Sequence, residues 1–137
     1  MSKDYSIKIT LETAFNEFNI QKILNKGLNK GFKYYDHVWG ERYENSPLLD
    51  AAGATQKILK ARKNDLEEGP CVYSVLEKDS NAHLCFYESE DGHLEFLIDA
   101  FGCPQKKGYW IDFSYYIKMF LDLCDDFSVL ELKTTMD

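Results

Sequence analysis

Four side chains in the middle of the chain are of types that do chemistry: His83, Cys85, His93 and Cys103. Imidazoles and thiolates ligate zinc, but the spacing here fits no zinc motif. A strand register worked out below also puts His93 opposite Ser89, on the order of 20 Å along a sheet from His83. No metal is therefore expected. A nucleophilic cysteine needs a neighbouring base or cation to lower its pKa. Cys103, just before Pro104 and next to Lys106 and Lys107, is the better candidate, although nothing in the sequence places a histidine beside it. Cys85 reads as a buried, inert thiol. The same register sets His83 against Asp99, a pair that would orient an imidazole for acid-base work or simply tie two strands together. Cys103, His83 and Asp99 are thus the weak catalytic set, with no cofactor implied. Neither a G-x-x-x-x-G-K-[ST] nor a G-x-G-x-x-G phosphate loop occurs.

What would hold these residues is a meander. Residues 71–77, 82–88 and 93–99 are rich in Val, Leu, Phe and Tyr and are separated only by Lys78-Asp79-Ser80-Asn81 and Glu90-Asp91-Gly92. Three antiparallel strands follow from that spacing. The second loop has three residues with Gly last, which fits a type I turn closed by a left-handed Gly92 and makes Ser89 face His93. Phe86 then lies opposite Phe96, Leu84 opposite Ile98, Tyr87 opposite Glu95, Cys85 opposite Leu97 and His83 opposite Asp99. Around the first loop, pairing Glu77 with Ala82 collects Tyr73, Val75, Leu84, Phe86, Leu94, Phe96 and Ile98 on one face, the core side. The opposite face carries Val72, Ser74, Leu76, His83, Cys85, Tyr87, His93, Glu95, Leu97 and Asp99. It is too apolar for bare solvent and too polar for a sealed core, so any site belongs there.

From the N-terminus, Tyr5, Ile7, Ile9 and Leu11 alternate with polar residues as a half-buried strand. A first helix is predicted from a cap at Thr13 or from Asn19, with Ile20, Ile23, Leu24 and Leu28 on its apolar stripe and a stop at Gly31. Gly27 inside that stripe costs about 1 kcal/mol relative to Ala, which a close approach of helix to sheet would repay. The aromatic run 32–39 predicts a second strand buried on both faces. Ser46-Pro47 predicts the start of helix 2, a cap followed by proline at the first helical position. Lys57, Lys60, Arg62 and Lys63 at its end oppose the helix dipole. Residues 100–108 form the best candidate functional loop, with residues 109–111 as a short strand or lip. Asp112 caps helix 3, carrying Tyr116, Ile117, Phe120, Leu121 and Cys124 on one side, and residues 127–133 form a final strand.

The order β-α-β-α-β-β-β-α-β implies an α+β domain spanning residues 1–137, a predominantly antiparallel sheet of five or six strands with about three helices. Helices are expected mainly on one face, and part of the chain is compatible with a ferredoxin-like arrangement. At 137 residues the chain is long enough to fold without a staple. No apolar run reaches a membrane span, residues 1–5 lead into a strand without a signal-peptide core, and a cytoplasmic protein is expected. Cys71, Cys85, Cys103 and Cys124 contain no C-x-x-C pair, and the register places Cys71 and Cys85 on opposite faces, so reduced thiols are expected.

Charge separates the two halves. Residues 1–63 hold 11 Lys and Arg against 7 Asp and Glu, whereas residues 64–137 hold 5 against 16, for a net −7 overall. Asp65, Glu67, Glu68, Glu77, Asp79, Glu88, Glu90, Asp91, Glu95 and Asp99 surround a single base, Lys78. Such a field attracts a basic partner and repels nucleic acid. An RNA-binding sheet would want cations around its aromatics, and acids stand there instead. The function that best suits these features is a protein-binding module, an inhibitor of the kind exemplified by bacterial immunity proteins, by analogy of size, acidity and absence of catalytic motifs. Its basic protein partner would dock on Glu88, Glu90, Asp91 and Glu95, with Tyr87, Tyr109 and Trp110 as aromatic anchors. The alternative is a small enzyme or ligand-binding domain with a pocket between the meander and the 101–110 loop. The sequence does not set the oligomeric state.

Overall fold

The computed structural model describes residues 5–37, 42–64, 70–75, 81–100, 106–107 and 110–136. Strand β1 (Tyr5–Ala14) leads to helix α1 (Glu17–Asn29) and strand β2 (Lys33–Tyr35). A 3-10 turn (Tyr43–Asn45), strand β3 (Leu48–Leu49) and helix α2 (Ala51–Asn64) follow. The meander is β4 (Cys71–Val75), β5 (Asn81–Glu88) and β6 (His93–Ala100). A small hairpin, β7 (Lys106–Lys107) and β8 (Trp110–Ile111), precedes helix α3 (Phe113–Leu121), a 3-10 turn (Asp122–Cys124) and strand β9 (Val129–Met136).

Seven strands form one antiparallel sheet in the order β3-β2-β4-β5-β6-β1-β9. The α+β class is as expected, with a sheet wider than five or six strands because Leu48–Leu49 pairs with Tyr35 and Tyr34 instead of opening helix 2. Asp36 N–H donates to the Pro47 carbonyl at 2.9 Å and holds that edge. The first turn of α2 is organised three residues later, by Asp50, whose carboxylate accepts the Gly53 N–H at 2.7 Å. Two split β-α-β units are present among the described residues: β3 and β4 are joined through α2 with β2 between them, and β6 and β9 are joined through α3 with β1 between them.

Helix α1 is capped by Asn16, between the two starts considered from sequence; its side chain accepts the Asn19 N–H at 2.8 Å. Asn19 in turn donates to Thr13 and to the Ala14 carbonyl, tying strand end to helix start. Gly31 ends the helix with φ 101°, a region that only glycine enters freely. Gly27 faces β2, where the buried Tyr34 hydroxyl donates to the Leu24 carbonyl at 2.8 Å, and a Cβ at Gly27 would overlap that hydroxyl. The cost of a mid-helix glycine therefore secures a close contact of helix with sheet.

Ile7, Ile9 and Leu11 of β1, Leu84 and Phe86 of β5, and Leu94, Phe96 and Ile98 of β6 form a single core with Ile20, Ile23 and Leu24 of α1, Ala54 and Ile58 of α2, and Tyr116 and Phe120 of α3. All three helices thus bury their apolar sides against the same face of the sheet. Each fully buried large side chain contributes roughly 1.5–3 kcal/mol. Lys26 pairs with Asp125 and, at 3.0 Å, Asp126, and Lys30 with Asp122 at 3.4 Å, which fastens α1 to the turns before β9. Asp112 caps α3 as expected, accepting the Tyr115 N–H at 3.2 Å.

Two further expectations are corrected. The second strand is short and buried on one face only: Tyr34 is inside, Lys33 is exposed and Tyr35 is half-buried, while residues 38–41 lie outside the described residues. The β4–β5 register is shifted by three residues from the one expected, with Val72 opposite Leu84, Tyr73 opposite His83 and Ser74 opposite Ala82. An odd shift turns a strand over. Val72 and Ser74 therefore enter the core side, and Tyr73 joins the other face.

Candidate functional site

The helix-free side of the sheet is built from alternate residues of the same strands. The β5–β6 register is the one expected from the Glu90-Asp91-Gly92 loop, with Phe86 and Phe96 stacked 4.9 Å apart in the core and His83 opposite Asp99, Cys85 opposite Leu97 and Tyr87 opposite Glu95 on the outer face. The turn is as expected too: Gly92 N–H donates to the Ser89 carbonyl, Ser89 N–H to the His93 carbonyl at 2.9 Å, and Gly92 adopts φ 82°. Rows now run across strands. One carries Tyr73, His83, Asp99 and Ser6; the next carries Cys71, Cys85, Leu97, Lys8 and Lys133.

At the β2 end, aromatic rings gather around Tyr73. His37 stacks on it at 4.6 Å, Tyr43 lies 5.5 Å away, His83 meets it edge-on at 5.5 Å, and Tyr35 touches Tyr43 at 5.3 Å. The 3-10 turn brings Tyr43 to this cluster. Burial, and then the neighbouring Tyr43 and Glu44, pushes the Tyr73 phenol above its ordinary pKa. Tyr87, 39% exposed, is pushed up by burial and by the charge of Asp99. Neutral phenols here present an apolar ring with a hydroxyl at its tip, suited to contact with another protein.

Cys71 and Cys85 are joined in a disulfide, with Cα atoms 4.1 Å apart. This overturns the expectation of reduced thiols, and its cause is the corrected register, which makes the two residues direct cross-strand partners. It also removes thiol state as an argument for a reducing compartment. Cys124 is a buried free thiol whose pKa burial pushes up to about 12, with Lys26 pulling weakly the other way.

The predicted acidic residues divide between the faces. Glu88 shares parity with Leu84 and Phe86 and lies on the helical side, where Arg62 of α2 holds it at 2.9 Å while stacking over Phe15. Glu95 is on the outer face, 4.0 Å from Lys8. Glu90 and Asp91 are exposed at the β5–β6 turn. The paired rows of the outer face hold Lys8, Lys33 and Lys133 against Glu95, Asp99 and Glu131, a balance rather than an acidic field. Asp65, Glu67, Glu68, Glu77 and Asp79 lie outside the described residues, as do Cys103 and Tyr109. Trp110 is placed only as backbone, in β8 opposite Lys107.

His83 and Asp99 are neighbours, as the register predicted, whereas His93 sits at the far end of β6. Among the described residues no group of three His, Cys, Asp or Glu is arranged to hold a metal. An open depression of about 500 Å³ lies at the start of α1, lined by Asn16, Glu17, Phe18, Gln21, Lys22 and Asn25, and α1 is on the side of the sheet opposite to His83. Sequence reasoning missed Tyr73, Tyr43, His37 and the disulfide as members of the outer face. The signal available was a three-residue shift of β4, which would have set Cys71 against Cys85.

Among the described residues no helix is long and apolar enough to cross a membrane. No protein-family model, no curated protein and no solved structure matches the chain.

Proposed function

We propose that this chain is a protein-binding module whose docking surface is the outer face of β4, β5 and β6. The observation that carries the reading is the one-sided placement of the described helices: they cover one face of the sheet, and the other carries a band of aromatic and apolar groups, the half-buried Tyr73 and Leu97 and the exposed Tyr87, interleaved with His83, Glu95 and Asp99. Apolar bodies with polar tips are the composition of interface hot spots. The exposed Glu90 and Asp91 at the adjoining turn supply local negative charge, so the fitting partner presents a basic rim around an apolar centre. Rigid strands pre-organise such a surface and lower the ordering cost of binding. An inhibitor that covers a basic functional surface, in the manner of immunity proteins, is one role for a module of this shape.

The test is capture from the native host with tagged protein, compared across three variants. Tyr87→Ala and the pair Glu90→Lys with Asp91→Lys should lose a partner that wild type retains, and Lys60→Glu on α2 should keep it. If the outer-face variants retain every partner that wild type captures, this surface is not where docking occurs.

A further inference from the structure

Among the described residues, strand β9 is the outermost strand of the sheet on its side, paired with β1 along one edge only. It is eight residues long and contains no Pro, one of the devices that blunt such edges, while two others, a lysine (Lys133) and a bulge, are present. A bulge at its start, where Thr10 faces Glu131 and Leu11 faces Val129, leaves Leu130 as the extra residue, and Val129 and Leu130 are 42% and 50% exposed. Beyond it runs regular extended backbone with a charge pattern of its own. Glu131 and Lys133 stand two residues apart on the outer face, and neither makes an ion pair among the described residues. Lys133 is instead directly opposite Lys8, a like-charge cross-strand pair that is unfavourable as it stands.

We propose that β9 pairs antiparallel with β9 of a second copy of this chain, about a two-fold axis at Leu132, giving one continuous sheet across the dimer. The register follows from charge. A two-fold perpendicular to the sheet keeps outer residues on the outer side, so the axis must pass through a residue position. Placed at Glu131 or Lys133, it sets a charge against its own copy. Placed at Leu132, it sets Glu131 of each chain opposite Lys133 of the other, twice by symmetry. Glu131 of the second copy then relieves the Lys8–Lys133 repulsion, and the outer face reads Glu95, Lys8, Lys133, Glu131 across the junction. Leu130 of each chain comes to lie beside Thr134 of the other, which removes part of its exposed surface from water. A single strand pair is a small interface, so association is concentration-dependent.

Charge swapping tests both the dimer and its register, by sedimentation equilibrium and light scattering over micromolar to sub-millimolar protein. Wild type should reach twice the 15.9 kDa chain mass. Glu131→Lys alone and Lys133→Glu alone should each stay at the monomer mass, because each sets like charges against each other in a homodimer. An equimolar mixture of those two variants should recover the doubled mass, and so should the chain carrying both changes. Circular dichroism of each variant separates lost pairing from lost folding, and recovery in the mixture excludes misfolding as the cause. A wild type that stays monomeric over this range overturns the proposal. So does a dimer whose mass is indifferent to both single reversals, which would place the contact elsewhere.

Discussion

Gly27 and Tyr34 show how one residue choice fixes a helix against a sheet. The Tyr34 hydroxyl donates to the Leu24 carbonyl in the space that a side chain at position 27 would fill. Gly27→Ala gains about 1 kcal/mol of helix propensity and incurs a clash worth about 1–3 kcal/mol, so the net expected effect is loss of stability in urea unfolding. Tyr34→Phe loses one buried hydrogen bond, about 1 kcal/mol. The two changes together should be less damaging than their sum, because the phenylalanine removes the atom that Gly27→Ala strikes. Strict additivity would show that the clash is not with the hydroxyl. The need for glycine was legible in the sequence as an interruption of an apolar stripe; the partner was not, because Tyr34 sits in a run with Phe32, Tyr35, His37 and Trp39, which offers rings to both faces.

Two buried groups at this scale also set a pH dependence. Burial raises the Tyr34 phenol above its ordinary value of 10.0 and pushes the Cys124 thiol from 9.0 up to about 12. Both are neutral in the folded chain where the unfolded chain would ionise, so their contribution is fully present below pH 9 and is lost as pH rises through the alkaline range. Unfolding free energy measured by urea should be level from pH 7 to 8.5 and fall between about pH 9 and 11. Cys124→Ala should make the first part of that fall shallower. A wild-type profile level to pH 11 would mean that neither group stays neutral in the folded state.

Among elements, the meander is where sequence reasoning succeeded and failed side by side. The β5–β6 register was readable because a three-residue loop ending in Gly92 admits one turn geometry and because Phe86, Phe96, Leu84 and Ile98 all want the same face. The β4–β5 register was not, because Val72, Tyr73 and Val75 offer apolar groups to both faces of β4 and residues 76–80 contain no glycine or proline to define a turn. Helix 2 went astray for a related reason: Ser46-Pro47 is a good local start, but Asp50 with Gly53 is a better one and frees Leu48–Leu49 to extend the sheet. The corrected register has a measurable consequence. The Cys71–Cys85 disulfide closes a loop of sequence separation 14, and constraining a loop of that length in the unfolded chain is worth about 3 kcal/mol. Reductant, or Cys71→Ala with Cys85→Ala, should lower the urea midpoint by a matching amount with the secondary structure unchanged. An unchanged midpoint would mean the two thiols are not joined in the folded protein.

Among the described residues of the whole molecule, the net charge of −7 does not translate into an acidic docking face, because the fold distributes those acids by parity and partner. Glu88 turns to the helices and Arg62, Glu95 reaches Lys8, and the lysines of β1, β2 and β9 balance the outer rows. That placement separates stability from recognition in a way composition cannot. Glu88→Lys sets a cation against Arg62, whose guanidinium also packs on Phe15, and should cost about 0.5–1 kcal/mol, the upper part of the range for exposed ion pairs. The pair Glu90→Lys with Asp91→Lys alters an exposed turn and should leave the unfolding free energy within about 0.5 kcal/mol. Raising the salt to 1 M should erase most of the Glu88→Lys penalty, since screening reduces exposed charge interactions. A larger loss from the turn variant than from Glu88→Lys would mean that Glu90 and Asp91 help hold the β5–β6 hairpin together. They could then not be read as charge available to a partner, and the outer face would have to bind through its aromatic rows alone.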